Sequence, residues 1–246
     1  YLYSLGYHLS FHDLNDPSNK PAILIDGKTG KIYETNWGEI VSVVSRINSF
    51  SKYQIYEWIQ TLQETTKKDY EKYSAEALKY LGKAHIALTD EEKSRVEVAE
   101  YELGCIEKIG LELVVYVNTE RCCAKELVLL PHQTCPEHRH PEINGEPGKE
   151  ETFRCRYGKV YLYVEGEPTD KDKIQAKVPE GFEDCFTCFH EIILNPGEQY
   201  TIKPNTFHWF QSGDDGAVVS EFSTKSRDEY DIYTDKRIDA AGKRNI

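Results

Sequence analysis

The residues in this chain with the plainest chemistry are His138 and His140, set two apart around Arg139, with Glu151 following and His208 far downstream. Two histidines at i and i+2 on a strand project from one face, because the side-chain period of a strand is two. A carboxylate from a neighbouring strand and a third imidazole from a later one complete a three-nitrogen, one-oxygen ligand set. Such a set holds a divalent metal and leaves coordination positions open for a substrate. The pattern therefore predicts a metalloenzyme. Histidine and carboxylate donors accept Mn, Fe, Co, Ni and Zn, so ligand type alone leaves the metal open.

These side chains meet only if strands carry them. Leu111 to Val117, Lys125 to Leu130, Thr152 to Arg156, Val160 to Val164, His190 to Leu194, Tyr200 to Lys203, Phe207 to Gln211 and Ala217 to Ser223 are short β-prone runs. Gly, Pro, Asn and Asp separate them, as in a jelly roll or related barrel. His138 and His140 lie in the strand expected after Pro136. Asn195-Pro196-Gly197 and Lys203-Pro204-Asn205-Thr206 read as turns, the second leading into His208. Asn205 suits a backbone position with positive φ.

Residues 1–85 have a different texture. Pro21 to Ile25 and Lys31 to Thr35 read as a hairpin around Asp26-Gly27 and Gly30. Capping-box patterns at Asn36–Glu39 and Ser51–Gln54 start two helices, the second running through Leu81 with Gly82 as its stop. Thr89-Asp90-Glu91-Glu92 opens a third, which Gly104 would end. The division expected is an N-terminal extension of hairpin and helices over 1–85, then a metal-binding β-barrel over 86–246.

The His-x-His, the Glu with Gly158 seven residues after it, and the later turn-His resemble the two motifs of the cupin family. The gap from His140 to Glu151 is longer than usual, with Gly145, Pro147 and Gly148 suggesting an inserted loop. That leaves Glu150 beside Glu151 as a ligand candidate, and the spacing to Gly158 favours Glu151. Asn205 stands where glycine is usual. More specifically, Lys125–Leu129, Cys135–Pro141, Gly148–Tyr161, Gln199–Ile202 and His208–Phe210 resemble bacterial D-lyxose isomerases over roughly residues 86–238. The resemblance implies a cupin double-stranded β-helix and an aldose–ketose isomerase. Its reaction would interconvert D-lyxose and D-xylulose, with D-mannose and D-fructose as a related pair. It further implies manganese held by His138, His140, Glu151 and His208, and a homodimer.

Isomerisation of this kind needs a base at C2, a group that relays protons on oxygen, and an electrophile for the developing enediolate. The resemblance points to Glu221 and Lys125 as the catalytic pair. Lys125 shares strand parity with Leu127 and Leu129, and Glu221 with Val219 and Ser223. A charge on so apolar a face costs several kcal/mol if unpaired. A wet, cation-bearing cavity removes that cost. Glu221 is assigned as the carbon base and Lys125 as the partner on oxygen. The reverse assignment and a hydride shift stay open. So do three rivals: an isomerase of phosphorylated sugars, an iron oxygenase on the same scaffold, and a non-catalytic sugar-binding cupin.

Other polar residues have plainer readings. Arg154 and Arg156 lie on the face opposite Glu151 and Phe153 and read as structural. Trp209, Tyr161 and Tyr163 either stack on a sugar or fill the barrel. Asp231 and Tyr233 are placed to cap the pocket. Cys185 and Cys188 have zinc-knuckle spacing without a second pair and read as a loop, and His190 reads as packing.

Composition narrows the partners. With 42 acidic and 30 basic residues the formal charge is -12, and no basic stripe is present, which argues against nucleic acid and anionic membranes. The apolar runs are too short to span a bilayer. Seven cysteines, two of them adjacent at Cys122 and Cys123, do not form a secreted disulfide pattern and point to the cytoplasm.

Overall fold

A computed structural model of the protein describes residues 7–10, 21–26, 32–36, 69–101 and 103–240. Contacts divide the chain into two compact units, Tyr1–Lys72 with Ala240–Asn245, and Tyr73–Asp239 with Ile246. The sequence-based boundary at 85 falls just after the helix over 69–83, and this division at 72 falls inside it.

In the first unit, β1 (Tyr7–Ser10), β2 (Pro21–Asp26) and β3 (Ile32–Asn36) form an antiparallel sheet in that order. The β2–β3 pair is the expected hairpin. β1, which pairs along β2, has no counterpart in the sequence reading. The helix predicted from Asn36 onward and the start of the second at Ser51 lie outside the described residues.

Residues 69–83 are helical (α1). Tyr73, Ala77, Tyr80 and Leu81 are buried at helical spacing, and the last three pack with Ala84, Val96, Val114, Val128 and Val218. The helix does not stop at Gly82. His85 takes the left-handed conformation at φ 57°, the Ile86 amide donates to Leu81 O, and the His85 amide donates to Gly82 O. This pattern places the C′ position at His85, three residues beyond Gly82.

The capping box at Thr89 and Glu92 is present, but α2 spans only Asp90–Lys93 instead of reaching Gly104. The reason is tertiary. Val96 is buried in the α1 core, and β4 (Glu97–Ala99) pairs with β5 (Leu111–Asn118). A sheet edge and a buried β-branched residue outweigh local helix preference.

The second unit is built on a nine-stranded sheet. Its remaining strands are β6 (Cys123–Leu129), β7 (Thr134–Arg139), β8 (Glu151–Val164), β9 (His190–Leu194), β10 (Gln199–Ile202), β11 (His208–Ser223) and β12 (Ile232–Tyr233). Two pairs of predicted short strands are in fact the single long strands β8 and β11. Each serves both layers. The start of β8 pairs with β10 and its end with β9, while the start of β11 pairs with β7 and its end with β6. The bend between halves is at Gly158 and Gly216, with φ of 72° and 69°. A Cβ on Gly158 would lie 1.9 Å from Gly216 O, so neither a side chain nor a straight ladder fits there.

β7 begins ahead of Pro136, earlier than expected. His208 pairs with His138 and Phe210 with Cys135, so β7 carries one extra residue around Pro136 and Glu137. A bulge is where proline is tolerated in a sheet. The interior holds Leu113, Leu127, Leu129, Phe153, Leu162, Tyr163, Trp209, Phe210 and Val219. The result is the mainly β jelly roll that the sequence predicts. The short helix α3 (Lys236–Ala240) closes the described chain.

Candidate metal centre

The fold brings the four predicted ligands to neighbouring strand ends. His138 lies in β7 and His140 directly after it. Glu151 opens β8, His208 opens β11, and His208 stands opposite His138 in register. The ligand atoms of the three histidines lie within 4.8 Å of one another, and all three residues are buried. Glu151 Oε1 lies 3.1 Å from His140 Nε2 and 2.9 Å from His208 Nε2. Glu150 is exposed and its amide faces Thr224, so it is Glu151 that stands beside the imidazoles.

Each imidazole is aimed through its other nitrogen. His138 Nδ1 donates to Pro136 O at 2.8 Å, His208 Nδ1 to Thr206 O at 2.9 Å, and His140 Nδ1 to Asp231 Oδ1 at 2.6 Å. A carbonyl or carboxylate can only accept, so Nδ1 of each ring carries a proton and Nε2 is the nitrogen that faces the centre. Burial, with the neighbouring imidazoles, presses the His138 pKa well below its ordinary value and keeps it neutral. For His140, burial and Lys149 oppose protonation, but Asp231 and Glu151 outweigh them and raise its pKa to about 9. His208 Nε2 is fully buried with no hydrogen-bond partner despite its closeness to Glu151. An orphaned, inward-facing nitrogen beside two others and a carboxylate fits a divalent ion.

Backbone holds this arrangement. The Asn205 amide donates to His140 O, and Asn205 has φ 60°, as the turn reading predicts. A Cβ on Gly148 would lie 1.9 Å from His140 O, so the loop ending at Lys149 presses directly on the ligand segment. Glu137, fully buried beside His138, accepts from the amides of Thr187 and Cys188 and the hydroxyls of Thr187 and Thr234. It thereby ties the 185–189 loop and the segment carrying Asp231 to β7.

Glu221 and Lys125 face each other across β11 and β6, both buried. Glu221 Oε1 accepts from Lys149 Nζ at 3.2 Å and from Ser223 Oγ at 3.0 Å. Lys125 Nζ donates to Ser226 Oγ and Asp228 Oδ2, each at 2.9 Å. Burial disfavours the Lys125 ammonium, but Glu221 and Asp228 outweigh burial and Lys149, so its pKa is raised. A shallow recess lined by His140, Lys149 and Asp231 opens past Pro141, Ile143, Lys225 and Arg227. Lys225 and Arg227 are paired with Glu120 and Glu146, and neither pairs with Glu221.

The family profile for D-lyxose isomerase matches residues 45–242. The chain belongs to the D-lyxose isomerase family. The match reaches further toward the N-terminus than the motif resemblance did. A D-lyxose/D-mannose isomerase of Thermosediminibacter oceani is 62% identical over 177 residues, 72% of this chain and 95% of that protein. A D-lyxose ketol-isomerase of Cohnella laeviribosi is 62% identical over 157 residues, 64% of this chain and 85% of that one. In fold, the L-ribose isomerase of Acinetobacter sp. DL28 superposes with a TM-score of 0.58 at 12% identity, covering 71% of this chain and 94% of that chain.

Within this D-lyxose isomerase family chain, several motif-adjacent residues have structural places. Trp209 is fully buried, stacked on Tyr163 at 4.1 Å, and its indole N–H donates to Cys188 O, so it fills the barrel. Arg154 binds Gln199 and Arg156 binds Ser220, away from the centre. Cys185 and Cys188 are free thiols, and His190 Nδ1 bonds Glu167 O. Tyr233 packs on the His138 ring at 5.5 Å. Sequence reasoning missed Lys149, Asp228 and Glu137. Lys149 stands two residues before Glu151, but that spacing does not say which carboxylates its side chain reaches, and nothing in sequence marks the other two.

Proposed function

We propose that the protein is an aldose–ketose isomerase interconverting D-lyxose and D-xylulose, with D-mannose and D-fructose as a related pair. The observation that carries this is a three-imidazole, one-carboxylate cage with a second buried carboxylate, Glu221, one ammonium away from it. Membership of the family and relatives bearing these activities in their names support the substrate class.

His138, His140, Glu151 and His208 would hold a divalent ion, manganese in this proposal. When bound, that ion supplies a Lewis acid for charge developing on adjacent sugar oxygens. Glu221 is the base that takes the proton from the carbon next to the carbonyl and returns it to the neighbouring carbon. Lys125 works on the oxygen side: its ammonium gives a proton to the oxygen that becomes a hydroxyl and regains the one shed by the oxygen that becomes the carbonyl, so the oxygens exchange one proton as the carbons do. The buried walls exclude bulk water during the transfer.

The protein is further proposed to be a cytoplasmic homodimer, with residues 1–85 as an extension of the catalytic barrel. Among the described residues no helix is long and apolar enough to cross a membrane.

The test is turnover of D-lyxose and D-mannose by metal-stripped protein, with and without added Mn²⁺, in D₂O. Ketose formed only with metal supports the proposal. Deuterium at the shifted carbon supports Glu221 as a proton-transferring base. No turnover of either sugar would sink the substrate assignment.

A further inference from the structure

Lys149 is nearly inaccessible, and its ammonium is shared between two carboxylates that belong to different tasks. Nζ lies 2.7 Å from Glu151 Oε2 and 3.2 Å from Glu221 Oε1. Glu151 offers its other oxygen, Oε1, to His140 and His208. A third carboxylate, Asp228, places Oδ1 4.0 Å from Lys149 and Oδ2 2.9 Å from Lys125. The order is therefore ligand carboxylate, Lys149, base carboxylate, with Asp228 and Lys125 behind.

We infer that Lys149 is the positioning residue of the reaction, a single ammonium that fixes the base Glu221 relative to the metal ligand Glu151. The catalytic half of this inference rests on the isomerase reading above.

Three arguments support it. The first is geometric. The oxygens of Glu151 and Glu221 can be no farther apart than the two Lys149 contacts laid end to end, so the base cannot drift from the centre. The second is energetic. Burying an ammonium costs several kcal/mol unless opposite charges surround it, and a stability role alone would be filled as well by an apolar side chain. Lys149 instead sits among Glu151, Glu221 and Asp228, and the two buried acids Glu151 and Glu221 would lose the ammonium between them without it. The third is the backbone. Gly148 lets the loop approach His140 O more closely than any Cβ permits, and that approach sets where Lys149 enters.

The test compares Lys149→Met, Lys149→Arg and the wild-type protein. Apo protein is titrated with Mn²⁺ by calorimetry, and kcat and KM are measured at saturating metal. Lys149→Met is expected to bind Mn²⁺ about 10- to 100-fold more weakly, because Glu151 loses its outer partner. Its kcat is expected to fall about 100-fold with KM within threefold, because the base is displaced and sugar contacts are not. Lys149→Arg keeps the charge but not the point geometry. It should recover Mn²⁺ affinity to within about threefold of wild type while kcat stays about tenfold or more down.

Wild-type metal affinity and kcat in Lys149→Met would overturn the inference. If that variant does not fold, the arginine variant decides by itself: wild-type kcat overturns, split behaviour supports. If wild-type protein turns over neither sugar, the isomerase reading fails, yet the Mn²⁺ titration still judges the tie between Lys149 and Glu151.

Discussion

Asp231 touches no ligand position itself, yet it should matter almost as much as one. Its carboxylate receives the Nδ1 proton of His140 at 2.6 Å and so fixes the tautomer and ring angle of that imidazole. Asp231→Asn is expected to weaken Mn²⁺ binding by about 10- to 100-fold with little change in the melting temperature of the apo protein. Calorimetric titration with unchanged affinity would remove His140 from the ligand set. At this scale the sequence was most readable where spacing encodes direction. His138 and His140 could be paired because strand parity follows from the backbone alone, while Glu151 and His208 came from the spacing of the cupin motifs the chain resembles. Lys149 and Asp228 could not be named in either way. Their roles depend on which carboxylates a long side chain reaches across strands, and no local pattern records that reach. Asp231 stood between the two cases: it was placed at the pocket, but its partner was not foreseeable.

Elements position the centre through one strand in particular. β7 carries His138, and its neighbour Glu137 points the other way, into the donors of two separate segments. The bulge at Pro136 and Glu137 makes this possible by resetting the register between His208 and Phe210. Glu137→Gln keeps the shape but replaces one acceptor oxygen with a donor facing donors. It is expected to cost about 2–3 kcal/mol, the cost of stranding buried hydrogen-bonding groups. That corresponds to a fall in Tm of roughly 4–12 °C for a unit of this size. Mn²⁺ affinity should drop as well, because Glu137 anchors the segment that carries Asp231. A thermal melt and a titration, both unchanged, would contradict the anchoring role. The strands themselves were legible as short runs. Their joining into β8 and β11 was not, since a continuous bent strand and two strands with a turn share the same glycine. The false extension of α2 has a similar origin: its capping box was read correctly, but the sheet edge that ends it lies in β5.

At the scale of the whole molecule, stability rests on two cores on opposite faces of one sheet, and they answer to different perturbations. Under α1, Glu112 is fully buried with one carboxylate oxygen lacking any partner. Burial pushes its pKa up to about 7, against the bond from Gln133. A raised acid is protonated in the folded state while the unfolded state has ionised. Its contribution is therefore complete below about pH 4.5, declines as pH rises, and is lost once pH passes about 7. The loss is at most about 3 kcal/mol. Glu112→Gln should match wild type near pH 5 and be more stable at pH 8. Equal melting differences at both pH values would show that Glu112 is not protonated in the fold.

The same face decides how much of the N-terminal region the barrel needs. The relative from Thermosediminibacter oceani aligns over 95% of its own length yet covers only 72% of this chain, so the family fold does not require every residue here. The second unit nonetheless begins at Tyr73, inside α1. Deleting residues 1–68 keeps the buried Tyr73 and leaves Ala77, Tyr80 and Leu81 on Val114, Val128 and Val218. That protein is expected to bind Mn²⁺ and turn over sugar within about threefold of the full chain, a spread that corresponds to well under 1 kcal/mol. Deleting residues 1–84 removes all four buried helix residues. Large buried side chains contribute about 1.5–3 kcal/mol each, so the loss exceeds about 5 kcal/mol and falls on a face that water then reaches. The shorter chain should aggregate or melt far earlier, although Ala77, Tyr80 and Leu81 pack in a core that does not include the metal-centre residues. Equal behaviour of the two deletions, measured by thermal melting and light scattering, would mean that α1 is no part of the catalytic unit. Light scattering of the first deletion also tests the dimer, since an unchanged number of chains per particle would show that residues 1–68 are not needed for its interface.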